Sequence, residues 1–169
     1  MRAQDQTRGP LADASGFRFA VIVSRFNEDV TASLRDAAVA ALKEAGAADN
    51  HIQQFSVPGA FEIPQAARAA AESGRFDAVV CLGCIVRGET PHFEYIASAV
   101  AHGIIDAAGE TGVPMAFGVL TTDTLEQATA RSGPGADNKG REAAAAAIEM
   151  AALYKSLSTS SPRPFGFRP

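Results

Sequence analysis

The sequence lacks the features that mark several classes of protein. Its 169 residues carry 15 lysines and arginines against 19 aspartates and glutamates, whereas a nucleic-acid partner usually requires a strong basic excess. No apolar run approaches the roughly 20 residues that a membrane-spanning helix needs. The polar N-terminus contains no apolar signal region. We therefore expect a cytoplasmic protein with neither a nucleic-acid nor a membrane partner.

Cysteine is scarce, and its two copies have a suggestive spacing. Cys81 and Cys84 form a C-x-x-C pair, which is typical of redox and metal sites. Both lie in a strand-like run, however, where side chains three residues apart point to opposite faces of the sheet. No second ligand pair accompanies them, and no His/Cys cluster suits a metal. We interpret both as buried strand residues, with a redox or metal site as the alternative.

Several motifs of common α/β enzymes are missing as well. The sequence has no Walker loop, no G-x-G-x-x-G loop and no serine nucleophile elbow. A receiver-type signalling domain needs an aspartate after its third strand, where this chain has Cys84-Ile85-Val86. These absences exclude the corresponding functions.

What is present is an alternation of apolar runs and helical patterns. Strands are predicted at residues 19–23, 52–57, 78–82 and 115–120, and helices at 30–45, 61–73, 93–108, 125–131 and 138–157. Three of the apolar runs barely alternate, as in parallel strands buried on both faces, whereas the second alternates and suits an edge. The β-α order predicts a doubly wound α/β sheet with helices on both faces.

The outer segments of the chain differ in composition from its centre. We expect residues 1–16 to be a flexible N-terminal segment and residues 17–157 to form one domain. Residues 158–169 are rich in serine and proline, which predicts a disordered tail.

Unusual residues follow each predicted strand, at the edge where open α/β sheets bind ligands. The four segments are Ser24-Arg25-Phe26-Asn27, Pro58-Gly59-Ala60-Phe61-Glu62, Val86-Arg87-Gly88-Glu89-Thr90-Pro91-His92 and Thr121-Thr122-Asp123. We expect all four to share one edge of the sheet.

The third of these segments carries the most chemistry. Gly88 permits a close backbone approach, and Glu89 and Thr90 precede a helix whose N-terminus favours an anion such as phosphate. We predict Thr90 as the N-cap of this helix, with Pro91 at its first position. His92, in the first turn, can carry protons during a reaction. By itself, the segment fits a plain helix cap with a surface histidine equally well.

Other candidate residues also have two interpretations. Phe26 is a stacking surface for a flat heterocycle or a lid over the core, and Glu62 is an acceptor for hydroxyls or a first-turn carboxylate. Arg131 and Lys139 can neutralise a phosphate together or be solvated surface charges.

Taken together, the segments resemble the 6,7-dimethyl-8-ribityllumazine synthase family of riboflavin biosynthesis. The matching stretches, in family order and spacing, are Ser24-Arg25-Phe26-Asn27, Val57-Pro58-Gly59-Ala60-Phe61-Glu62-Ile63-Pro64, the run from Leu82 to Tyr95, Phe117-Gly118-Val119-Leu120-Thr121 and Asn138-Lys139-Gly140. Five stretches in register are more specific than any one of them. The fold implied is a flavodoxin-like three-layer αβα sandwich with a four-stranded parallel sheet in the order 2-1-3-4.

The resemblance implies a condensation that needs no cofactor and no metal. The substrates would be 5-amino-6-(D-ribitylamino)uracil and 3,4-dihydroxy-2-butanone 4-phosphate, and the products 6,7-dimethyl-8-ribityllumazine, phosphate and water. It implies that His92 is the acid/base group. It implies that the pyrimidine and ribityl chain lie against Phe26, Ala60, Phe61, Glu62, Cys84, Ile85, Val86 and Phe117. It implies a phosphate site formed by Glu89, Thr90, Arg131 and Lys139, in which the Glu89 carboxylate must face away from the anion.

Assembly is a further implication. Family members form homopentamers with active sites between subunits, and some build 60-subunit shells, with riboflavin synthase as a partner. Arg131 is then expected to come from a neighbouring subunit. The loop 133–137 lacks the lysine of the Gly-x-Lys-x-Gly pattern that is common before Asn-Lys-Gly, so it does not indicate which assembly forms.

Two other functions are compatible with the same fold, because fold alone does not determine function. One is a non-catalytic lumazine- or flavin-binding or shell-forming protein, which loss of His92 or Arg131 would have favoured. The other is riboflavin synthase activity of the type found on this fold in archaea, against which the long match argues.

Overall fold

The computed structural model describes residues 10–159. In chain order the elements are β1 Phe19–Ser24, α1 Glu28–Glu44, β2 Ile52–Val57, α2 Ile63–Glu72, β3 Ala78–Val86, α3 His92–Thr111, β4 Met115–Thr122, α4 Leu125–Ser132 and α5 Lys139–Thr159. Two short 3-10 turns, Asp49–His51 and Ala60–Glu62, precede β2 and α2. The alternation of strands and helices is as predicted.

The four strands form one parallel sheet in the order β2-β1-β3-β4. This confirms the predicted order and the position of β2 at an edge. β1 is buried along its whole length, whereas β2 buries only its two end residues, Ile52 and Val57. The difference explains why the first run is continuously apolar and the second alternates.

Helices cover both faces of the sheet, which confirms the three-layer sandwich. Phe19 and Val21 of β1 pack in one core with Leu34 of α1 and Ile148 of α5. The alternate β1 residues, such as Ile22, pack on the opposite face with side chains of α2 and α3. Because successive side chains of a strand point to opposite faces, β1 contributes to two separate cores.

The segments outside the predicted domain are partly built into it. Ala14 is fully buried, and its N–H donates to the carbonyl oxygen of Ala45 at 2.8 Å. The part of the predicted flexible segment from residue 10 to 16 thus packs against the end of α1. At the other end, α5 continues to Thr159, two residues into the predicted tail. Residues 1–9 and 160–169 lie outside the described residues.

Some predicted boundaries were wrong. β3 continues past the apolar run 78–82 to Val86, in agreement with a strand that ends in Cys84-Ile85-Val86, whereas β4 runs two residues beyond its predicted end, to Thr122, because Val86 and Thr122 still pair across the sheet. The α3 helix begins at His92 with Pro91 as its cap residue and no side-chain cap bond, so the prediction of Thr90 as N-cap was wrong. Pro91 has near-helical angles, φ −63° and ψ −2°, but within the described residues the Thr90 hydroxyl makes no hydrogen bond to an N–H group of the first turn, so Thr90 does not act as a cap. No helix in the described range is long and apolar enough to cross a membrane.

Candidate active site

A cleft of about 350 Å³ opens beyond the carboxyl ends of β1, β2 and β3. Its lining residues are Phe26, Gly59, Ala60, Phe61, Cys84, Ile85, Val86, Gly88, Thr90, His92, Phe93 and Ile96. We call this the main cleft. Its size and its largely apolar and aromatic lining suit a small-molecule site.

The loop that carries Phe26 is held by backbone bonds to the neighbouring strands. The N–H groups of Arg25 and Phe26 donate to the carbonyls of Val57 and Pro58 at 2.9 and 3.3 Å. Asn27 adopts a left-handed backbone conformation, φ 58°, and its side-chain amide donates to the Cys84 carbonyl at 3.0 Å. The Phe26 ring remains 70% exposed, so it forms an open wall of the cleft on a fixed backbone.

Glu62 shapes the turn that carries Ala60 and Phe61. Its Oε2 accepts from the Gly59 N–H at 2.9 Å, which satisfies a backbone donor at the start of the 3-10 turn. A carboxylate has two oxygens, so Oε1 can still accept a hydrogen bond from a ligand. Phe61, half-exposed, extends from this turn into the cleft.

The loop between β3 and α3 supplies polar groups to the cleft. Gly88, Thr90 and His92 line it, whereas the exposed Glu89 does not. Within residues 10–159, the backbone groups of residues 88–90 make no hydrogen bond to another strand or helix. Since Thr90 does not cap α3, its hydroxyl and the loop N–H groups are available to an anion near the N-terminus of a 20-residue helix.

The two cysteines point to opposite cores, as predicted. Cys81 belongs to the α2/α3 side and Cys84 to the α1/α5 side, and both are free thiols. Burial raises the pKa of Cys81 to about 12 and that of Cys84 to about 11. Because the thiolate is the reactive form, a nucleophilic or redox role for either is disfavoured.

The remaining predicted residues line a second cleft along β4. Phe117, Arg131 and Lys139 line this cleft, of about 490 Å³, together with Glu142. Arg131 donates to the Gln127 carbonyl at 2.9 Å, and the Lys139 ammonium donates to both Glu142 carboxylate oxygens at 2.6 and 2.7 Å. The two clefts share no lining residue.

The chain thus brings some predicted site residues together and separates others. Those in the main cleft are Phe26, Ala60, Phe61, Cys84, Ile85, Val86, Thr90 and His92. Glu62 and Glu89 lie in the loops beside it. Phe93 and Ile96 also line it, although neither was predicted as a site residue; their helical spacing from His92 was the available signal. Glu142 was missed too, and only its i+3 spacing from Lys139 indicated it.

The described residues contain no group of three or more His, Cys, Asp or Glu side chains arranged to hold a metal ion. The polar groups that line the main cleft are instead a threonine hydroxyl, an imidazole and loop backbone. Such groups suit hydrogen bonding, anion binding and proton transfer.

Comparison with known proteins agrees with this arrangement. Residues 16–155 match the family model described as 6,7-dimethyl-8-ribityllumazine synthase. The chain is 52% identical over 151 residues to the 6,7-dimethyl-8-ribityllumazine synthase of Syntrophus aciditrophicus strain SB, an alignment that covers 89% of this chain and 97% of that relative. Both described clefts fall inside the matched residues, and the chain therefore belongs to the 6,7-dimethyl-8-ribityllumazine synthase family.

Proposed function

We propose that this protein condenses 5-amino-6-(D-ribitylamino)uracil with 3,4-dihydroxy-2-butanone 4-phosphate to give 6,7-dimethyl-8-ribityllumazine, phosphate and water. Family membership over residues 16–155 supports the reaction. The observation that carries the proposal is the main cleft, in which exposed aromatic rings, an anion-compatible loop and His92 converge.

One part of the main cleft binds the pyrimidine substrate. In this proposal the Phe26 ring stacks on the heterocycle, and backbone groups of Cys84, Ile85 and Val86 meet its polar edge. The Cys84 carbonyl already accepts from Asn27, but a carbonyl oxygen has a second lone pair. Ala60 and Phe61 border the ribityl chain, and Glu62 accepts from its hydroxyls.

The other part, at the loop between β3 and α3, binds the phosphate-bearing ketone. The N–H groups of Glu89 and its neighbours and the Thr90 hydroxyl bind the phosphate, and the exposed Glu89 carboxylate stays away from it. The substrate amine attacks the ketone carbon, and loss of water gives a Schiff base. Phosphate then leaves, and ring closure with loss of a second water yields the lumazine. His92 moves the protons that these steps require.

The main cleft lacks the cations that a bound phosphate would attract. Arg131 and Lys139 line the separate cleft on β4 with Phe117. We propose that a neighbouring copy supplies these three residues, so that one active site forms between two subunits. The assembly is then a homopentamer, or a 60-subunit shell built from pentamers, with riboflavin synthase as a candidate partner.

One assay tests the proposal against its alternatives. The purified protein is mixed with both substrates, and formation of the fluorescent lumazine is followed. We expect lumazine and stoichiometric phosphate. Binding of lumazine without its formation would indicate a non-catalytic protein, and riboflavin formed from lumazine would indicate a riboflavin synthase.

A further inference from the structure

Arg87 directly follows β3 and connects the end of that strand to the β4–α4 connection and to the first turn of α3, at the carboxyl edge of the sheet. Its Nε donates to Asp123 Oδ1 at 2.7 Å, and its Nη1 donates to Glu94 Oε1 at 3.1 Å. Its guanidinium carbon lies 4.6 Å from the centroid of the Phe93 ring. Its backbone N–H donates to the Thr122 carbonyl at 2.9 Å. This one residue therefore bonds to the β4–α4 connection and to the first turn of α3.

The loop that follows Arg87 has few other anchors. Residues 88–90 make no backbone hydrogen bond to another strand or helix in the described range. Its position is therefore set at its two ends, by Arg87 before it and by the first turn of α3 after it. Arg87 contacts both Phe93 and Glu94 of that turn, so it holds both ends at once.

The partner in the β4–α4 connection is itself held by hydrogen bonds. The Asp123 N–H donates to the Gln127 side-chain oxygen at 3.0 Å, and the Thr124 hydroxyl caps α4 by accepting from the Gln127 N–H at 3.3 Å. The backbone of Asp123 is therefore held to the first turn of α4.

We propose that Arg87 is a positioning residue that clamps the loop 88–91 and the first turn of α3 to the end of β4, and thereby sets the phosphate cradle relative to His92. The kinetic consequences rest on the proposed function, whereas the effect on the loop does not. Exposed ion pairs contribute little to stability. The clamp, however, acts on geometry, where a displacement of about 1 Å can cost orders of magnitude in rate. The hydrogen bond to Asp123 and, to a smaller extent, the hydrogen bond to Glu94 raise the pKa of Arg87, so its guanidinium stays charged.

Two variants separate positioning from simple electrostatics. Arg87→Met removes the clamp, and we expect the KM for the phosphate-bearing substrate to rise about tenfold while the KM for the pyrimidine changes little. Asp123→Asn removes one negative charge near the cradle and weakens the clamp. If Arg87 acted only by cancelling charge, Asp123→Asn would improve phosphate binding; positioning predicts a KM increase of about threefold. An unchanged or lower KM in Asp123→Asn would overturn the proposal.

Arg68 provides a matched control. It is as exposed as Arg87 and also bridges two carboxylates, Glu72 at 2.9 Å and Glu110 at 2.6 Å, but it joins α2 to the far end of α3. Arg68→Met should leave both KM values unchanged. If the KM for the phosphate-bearing substrate rose equally in Arg68→Met, the loss of any arginine that bridges two carboxylates would explain the effect, and Arg87 would have no special role.

Amide hydrogen exchange tests the clamp without relying on activity. We expect the two hydrogen-bonded amides at the ends of the loop, those of Arg87 and Glu94, which donate to the carbonyls of Thr122 and Pro91, to exchange about tenfold faster in Arg87→Met, to be partly restored in Arg87→Lys and to be unchanged in Arg68→Met. Unchanged exchange in Arg87→Met would overturn the clamp. If the wild-type protein made no lumazine but Arg87→Met showed faster exchange, the proposed function would fail and the clamp would stand.

Discussion

His92 is the first residue of α3 and lines the main cleft, so a substitution there changes the site without opening the core. Under the proposed function, His92→Ala should lower kcat about tenfold to a hundredfold, at or below the low end of general acid–base catalysis. Turnover should persist, because both substrates are intrinsically reactive and the cleft still holds them together. Steady-state lumazine formation at saturating substrate measures this.

His102 is a suitable control for that measurement. It lies on the same helix, is exposed, and its ring is hydrogen-bonded to the Ser98 carbonyl at 2.8 Å. His102→Ala should retain the wild-type kcat. Unchanged turnover in His92→Ala would remove the acid/base role.

The buried thiols predict a loss of stability in alkaline solution. An unfolded cysteine has a pKa of about 8.5, whereas burial raises that of Cys81 to about 12 and that of Cys84 to about 11. The folded state therefore keeps protons that the unfolded state releases. The stabilising contribution is complete below about pH 8.5 and is lost as pH rises to about 11 for Cys84 and about 12 for Cys81, by roughly 1–2 kcal/mol at pH 10 for Cys81.

Denaturant unfolding of the wild type and of Cys81→Ala/Cys84→Ala at pH 8 and pH 10 checks this. The variant starts less stable because it leaves cavities, so the comparison concerns the change between the two pH values. The wild type should lose more free energy of unfolding than the variant. Equal losses would show that the thiols contribute nothing.

At the scale of elements, α5 packs on α1 through a glycine. A Cβ added at Gly140 would overlap the backbone carbonyl of Leu34 in α1. Gly140→Ala should therefore lower the free energy of unfolding by about 2 kcal/mol or more, since backbone cannot yield as a side chain does.

Gly109→Ala in α3 is the matched control for Gly140→Ala. A Cβ there meets no atom within 4 Å, so Gly109→Ala should stabilise the chain by about 0.5–1 kcal/mol through helix propensity. Thermal denaturation compares the two. A Gly140→Ala protein as stable as Gly109→Ala would show that α1 and α5 are not in close contact.

The existence of the elements could be predicted from the sequence, because burial on one or two faces dictates the apolar pattern of a strand. Their ends could not, since they depend on partners distant in the chain. β4 runs to Thr122, two residues past its predicted end, because Val86 of β3 still pairs with it there. Thr90 is a favourable cap residue by type, yet within the described residues its hydroxyl makes no cap hydrogen bond, and residue type does not determine the side-chain direction that decides this.

The candidate site was predictable where its residues follow strands directly. The loops with Phe26, Phe61 and His92 meet because the ends of parallel strands lie at one edge of the sheet. Contacts that depend on side-chain direction were not predictable. The spacing of three residues permits the Glu62 bond to Gly59 and the pairing of Lys139 with Glu142, but it does not fix the side-chain rotamers that form them.

At the scale of the whole molecule, the separation of the two clefts is the main constraint on function. His92 lines one and Arg131 the other, with no shared lining residue. If each active site combines both, then each chain contributes to two sites. Activity should then depend on which chains are neighbours.

Mixed assemblies of two defective chains test this directly. His92→Ala and Arg131→Ala chains are co-expressed in equal amounts, and the rate is measured at low concentration of the phosphate-bearing substrate. In a closed ring with random placement, about a quarter of the interfaces pair an intact His92 with an intact Arg131. The mixture should then reach about a quarter of the wild-type rate per site. Co-expression of His92→Ala with Thr90→Ala is the control, because both residues line the same cleft of one chain and no interface can be intact. A His92/Arg131 mixture no more active than the mean of its two parents would show that the site does not combine residues of two chains.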